Sequence, residues 1–193
     1  MNPALLALPA AFGLAGASGL NASLPLLIVS LLARVGLIHL ASPYDALASD
    51  VAFYGLIALA VVEFAIDKVP ALDTVGHAVM LPVAAASGAI LFASQTGAIT
   101  DVNPGLAVIV SLLAGAGVSS TVHVARAAVR PVANVVLMGP PLSLLEDTAS
   151  TALTLAASLA PILVPFLLAL IALGAAMLWQ RRRLARESVP AGR

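Results

Sequence analysis

Apolar residues run through this chain in long blocks instead of alternating with polar ones. Residues 4–40, 51–66, 71–94, 106–138 and 142–180 are nearly continuous hydrophobic stretches, and the polar positions gather between them. Nothing follows a period of two, which argues against a β-barrel and for helices. Three blocks are too long for one bilayer crossing. Residues 4–40 as one helix would run about 55 Å, against ~30 Å of hydrocarbon. A break is therefore expected in the Gly/Ser/Asn-rich run at 13–23, which contains Gly13, Gly16, Gly19, Asn21 and Ser23. A second is expected at 114–121, around Gly115, Gly117, Ser119 and Thr121. Pro161 and Pro165 permit a kink or turn in the last block.

Helix starts are marked by capping chemistry. Asn2-Pro3, Ser42-Pro43 and Asn103-Pro104 each place a capping side chain before a proline at the first helical position. Ser143-x-x-Glu146 reads as a capping box opening the last helical region. The expected fold is all-α: a polytopic transmembrane helical bundle of about six crossings, with two broken or re-entrant segments.

Composition supplies the solvent. Only 9 % of the 193 residues are charged and 61 % are hydrophobic, with a mean hydropathy of +1.08. A soluble domain has about a quarter charged residues, so the surrounding medium must be lipid. One transmembrane domain at 1–180 and a basic tail at 181–193 account for the length. Arg181, Arg182, Arg183 and Arg186 next to Trp179 place the C-terminus of this multi-pass chain in the cytoplasm. Lys68 puts its turn on the same side, and the loops around Asp45, Asp50 and Asp101 outside. Met1-Asn2-Pro3 lacks the basic start of a cleaved signal, so the first apolar segment is expected to stay. Cysteine is absent, which excludes disulfides and thiolate chemistry. Nothing is basic enough for nucleic acid. A weak internal repeat divides the domain into halves, 1–102 and 103–180. Leu14-Ala-Gly-Ala17 recurs as Leu113-Ala-Gly-Ala116, and Asp73-Thr74 as Asp147-Thr148. Duplicated halves with broken helices are how many secondary transporters are built.

Three polar constellations remain. Glu63 and Asp67 share one helix face, as do Asp73 and His77 at the start of the next helix, with a turn containing Lys68 and Pro70 between them. Oxygen and imidazole ligands so placed suit a divalent cation or proton coupling. The bland alternative is a solvated turn at the membrane surface, with Asp73 on a helix dipole. Glu63 lies too far inside the apolar run for that. A second stripe, His123, Arg126, Arg130 and Asn134, lies on one helical face. Facing inward, Arg126 and Arg130 would neutralise Glu63 or Asp67, or clamp an anionic group. Facing outward, they would form an interfacial helix. Third, the two Gly-rich runs offer unwound backbone, with Asn21 and Ser23 as substrate-binding candidates. Close helix packing explains their glycines equally well.

The stretch from Gly13 through Asn21 and Ser23 to Leu26, followed by Glu63-x3-Asp67-Lys68-x-Pro70-x2-Asp73, resembles bacterial membrane proteins grouped as domain of unknown function 4126. The likeness runs from about Phe12 to Leu170. It implies an integral membrane protein and transfers no activity and no catalytic residue.

Function is expected to be that of a small transporter or lipid flippase. Its central polar site would lie between the broken helices and handle an ion, a small solute or an anionic lipid. No cofactor is implied beyond a coupling cation or proton, and a homo-oligomer is allowed. The alternatives are a membrane-embedded enzyme acting on a lipid phosphate, with His77 as acid/base, and a non-catalytic assembly subunit.

Overall fold

A computed structural model describes residues 3–40, 42–68, 70–96, 104–135, 139–170 and 173. Among the described residues, the α-helices with both ends defined are α1 (Pro3–Leu20), α2 (Leu24–Arg34), α3 (Asp50–Lys68), α4 (Pro70–Thr96), α5 (Pro104–Val135) and α6 (Gly139–Leu159). A 3₁₀ turn at Tyr44–Ala48 precedes α3, and another at Pro161–Leu163 follows α6 and leads into helical residues 164–170. The fold is all-α, with no strand among the described residues.

α1 is the hub, packed on α4, α5 and α6, while α4 and α5 form the most extensive pair. The break expected in residues 13–23 is present, but it is narrow. α1 carries on through its glycines to Leu20, and only Asn21–Ser23 lie between it and α2. The chain turns back there, so that Leu26 and Val29 of α2 join Leu14 and Ala17 of α1 in one core cluster. α2 and α3 run antiparallel. Arg34 bonds Asp50 at one end (2.7 Å) and Ser23 meets Glu63 at the other. α2 ends in a Schellman motif, with Gly36 N–H on the Ala33 carbonyl and Leu37 N–H on that of Leu32. Gly36 holds the required positive φ of 75°.

The second expected break is absent. α5 is one helix of 32 residues straight through 114–121. Its small residues serve close approach instead: a Cβ on Gly115 would collide with the Gly88 carbonyl of α4, and one on Gly88 with Ser119. Two helix starts also differ from expectation. Pro43, after a cis peptide bond, opens the 3₁₀ turn, and α3 begins at Asp50 with the Ser49 hydroxyl accepting from Ala52 N–H at 3.2 Å. α6 begins at Gly139, so Ser143 and Glu146 lie inside the helix and form no capping box. At Pro161 the expected interruption occurs, with Ala160 out of helical geometry.

The interior is small and hydroxyl-rich: Ala10, Ala11, Ala15, Ala17, Ala84, Ser18, Ser119 and Ser150 are all buried. Large apolar side chains such as Val61, Val110, Leu113, Val124 and Phe166 point outward. Two helical stretches, Ala78–Gln95 and Ala107–Ala128, are long and apolar enough to cross a membrane. The tail at 181–193 and the Trp179 anchor lie outside the described residues.

Candidate functional site

A helix start leaves its first N–H groups without intrahelical partners. At the start of α2 these groups are buried, and each has a side-chain acceptor. Ala22 N–H donates to Glu63 Oε1 (2.8 Å) and Ser23 N–H to Glu63 Oε2 (2.9 Å). The Ser23 hydroxyl also donates to Oε2, at 2.6 Å. Leu24 N–H donates to Asn21 Oδ1 at 2.9 Å, as an N-cap would. Pro25 has no N–H to satisfy. Glu63, 1 % exposed, thus caps α2 from α3 across a gap of 40 residues. Its negative charge rests on a helix N-terminus, where the macrodipole favours it.

A turn further along α3, Asp67 pairs with Arg126 of α5. The guanidinium is two-sided: its Nε donates to Glu146 of α6 at 2.7 Å, and its side chain is 2 % exposed. The next residue of α6, Asp147, accepts from the Asn21 amide at 3.0 Å. These contacts close a ring. It runs from Glu63 through the α2 start and Asn21 to Asp147 and Glu146, then through Arg126 to Asp67, one helical turn from Glu63. Four helices and the α1–α2 break are tied together by it. His123, one turn before Arg126, is buried on the same face of α5.

Beside the ring, a groove of about 320 Å³ lies between α2 and α3. Leu24, Leu27, Ile57, Ala60, Val61 and Phe64 line it, and Asn21 is the polar residue among its walls.

The structure brings together Asn21, Ser23, Glu63, Asp67 and Arg126 of the residues singled out by sequence. Arg126 faces the bundle, which removes the interfacial reading of this part of α5. Its expected role as an open anion clamp is corrected, because carboxylates occupy two sides of the guanidinium. Glu63 is also reassigned: its hydrogen bonds come from the α2 start, although its charge is near enough to act on Arg126. The expected cation set of Glu63, Asp67, Asp73 and His77 is described only in part, at Glu63 and Asp67; among the described residues no group of three His, Cys, Asp or Glu side chains is placed for an ion. Asp73, His77 and Arg130 fall on α4 and α5, and their side chains lie outside the described residues. Glu146 and Asp147 were missed as members of the site. Two adjacent carboxylates in a helix of this polarity were the available signal, and the Ser143 spacing diverted it to a local cap.

Comparisons with curated proteins and with solved structures gave no match. A family model does match, over residues 8–181, and that span takes in every member of the ring. On that match the chain belongs to the family described as Domain of unknown function (DUF4126).

Proposed function

We propose that the protein is a small multi-pass membrane transporter or lipid flippase whose working site is the α1–α2 break with its ring of buried charge. The outward-facing large apolar side chains support lipid as the surrounding medium, and the arginine-rich tail supports a cytoplasmic C-terminus in a bacterial inner membrane. α3 has 19 residues. That makes it about 28 Å long, close to the hydrocarbon thickness. Glu63 falls about 20 Å along it, roughly a turn and a half from its far end, which is compatible with a break inside the hydrocarbon, where discontinuous helices hold substrate and coupling ion in secondary transporters. α2, with 11 residues, is about half a crossing.

The observation that carries this reading is the Glu63 carboxylate, buried and held by backbone donors of an interrupted helix. An ionisable group at such depth costs about 2.5–3.5 kcal/mol on insertion scales, and ion and substrate pathways are where such groups persist.

The test is reconstitution into liposomes. Translocation of a fluorescent phospholipid is read by quencher protection, and entry of protons by a trapped pH dye. One of the two fluxes is expected to exceed that of protein-free vesicles and to fall in Asp67→Asn. Neither flux exceeding the control, with folded protein in the bilayer, overturns the proposal.

A further inference from the structure

Resting on the reading above, we infer that the C-terminal end of α1 binds a monovalent alkali-metal cation, with main-chain carbonyls at the break as ligands and Glu63 as counter-charge. The Ala17 carbonyl is the last of α1 to be satisfied, by Asn21 N–H at 3.1 Å and the Ser150 hydroxyl at 2.9 Å. The N–H groups that would serve the next three carbonyls are diverted. Ala22 N–H, due to Ser18, goes to Glu63, and Ser23 N–H, due to Gly19, goes to Glu63 and Asn21. Leu24 N–H, due to Leu20, goes to Asn21 Oδ1. Pro25 leaves the Asn21 carbonyl without a helical donor. No described donor replaces them. Ser18, Gly19 and Asn21 are buried and Leu20 is half-buried. Buried carbonyls in series call for a water or an ion as partner.

Charge favours the ion. The last carbonyls of a helix form the negative end of its macrodipole. At this end they meet the Glu63 carboxylate, which is hydrogen-bonded to Ala22 and Ser23, the two residues that follow Asn21. Arg126, on which the Glu63 charge also acts, is engaged by Asp67 and Glu146. Neutral carbonyls beside one carboxylate suit a singly charged ion, as at the broken helices of secondary transporters. A divalent ion is held by several carboxylates, and no group of three His, Cys, Asp or Glu side chains among the described residues is placed for one.

The experiment is thermal unfolding and hydrogen exchange of the purified full chain in a nonionic detergent, at constant pH and ionic strength, as Na⁺ or K⁺ replaces N-methylglucamine. One of the two metal ions is expected to raise the melting temperature in a saturable way and to slow exchange at Ala22 and Ser23. The slowing should reach about tenfold when the ion stands at about ten times its dissociation constant. Glu63→Gln, which keeps the side-chain shape and removes the charge, should abolish the ion dependence. Asp50→Asn, at the exposed far end of α3, should retain it. Identical behaviour of the unaltered protein in Na⁺, K⁺ and N-methylglucamine overturns the inference, because the carbonyls are then hydrated, and this outcome needs no variant to fold. So does an ion response that survives in folded Glu63→Gln, or protection that requires Ca²⁺. Ion-dependent protection without flux in liposomes leaves this inference standing and removes the transport reading; flux with no alkali-ion dependence of exchange does the reverse.

Discussion

Two glycine-rich runs of similar composition, residues 13–23 and 114–121, meet opposite fates. The first ends in a helix break, and the second lies in the middle of the longest helix. Glycine content does not separate them. What separates them is the supply of acceptors. At Asn21–Ser23 the freed N–H groups find Glu63 and Asn21, and Pro25 removes a donor from the count. In α5 the hydroxyls turn to helix carbonyls instead: Thr121 donates to Gly117 of its own helix, and Ser119 to Ala84 of α4 at 2.6 Å. A buried helix breaks where partners for its ends are built in, and small residues elsewhere set the distance between helices.

The sharpest way to test this contrast is to remove charge from the ring. Arg126→Ala leaves Asp67 and Glu146 buried without their shared cation, and is expected to cost about 3–5 kcal/mol. Combining it with Asp67→Asn should recover part of the loss, with a coupling of roughly 0.5–3 kcal/mol in a double-mutant cycle on unfolding in detergent. Strict additivity would detach Arg126 from the ring. Glu63→Ala strips the acceptor from Ala22 N–H and leaves Ser23 N–H and its hydroxyl with Asn21 Oδ1, at 3.2 and 3.3 Å. At about 1–3 kcal/mol for an unsatisfied buried group, a loss in that range is expected, and hydrogen exchange at Ala22 should rise while α5 is unchanged. Equal exchange in both regions would break the comparison.

The close α4–α5 contact, the seam of the bundle, should answer to volume instead of charge. Gly115→Val drives two methyl groups toward Gly88 and Phe92 of α4 and is expected to cost ~1–3 kcal/mol, read as a lower melting temperature. Ser119→Ala, which loses the hydroxyl bond to the Ala84 carbonyl, should cost about 1 kcal/mol. Neither substitution is expected to alter flux in liposomes. A change there would show that the seam and the break are one unit.

Much of the break was legible in the sequence, because Asn21, Ser23, Glu63, Asp67 and Arg126 are polar residues with nowhere to go in an apolar block. Their partners were harder to read. The pairing of Glu63 with backbone N–H groups follows from where the chain turns back, and a search for a cationic partner overlooks it. The spacing of Arg126 fits an inward or an interfacial face equally, and its partner Glu146 stands at a distance from Ser143 that reads as a capping box. The missing second break has the same origin. Glycine is ambiguous between a bend and a close approach, and only the carbonyl of Gly88 on another helix decides it. The start of α3 was misplaced by a proline signal at Pro43, while the side chain that caps it is Ser49.

The cap on α2 has a consequence for the order in which the chain is made. The donors belong to Ala22 and Ser23, but the acceptor arrives 40 residues later, on α3. Until Glu63 has left the ribosome and entered the bilayer, the turn between α1 and α2 holds exposed backbone N–H groups that hydrocarbon cannot satisfy. The α1–α2 hairpin is then expected to wait near water or in the insertion machinery, and to settle only when α3 joins it. Nascent chains stalled after about residue 50 should therefore leave Asn21 accessible to a water-soluble label in an introduced cysteine, and chains stalled well past α3 should protect it.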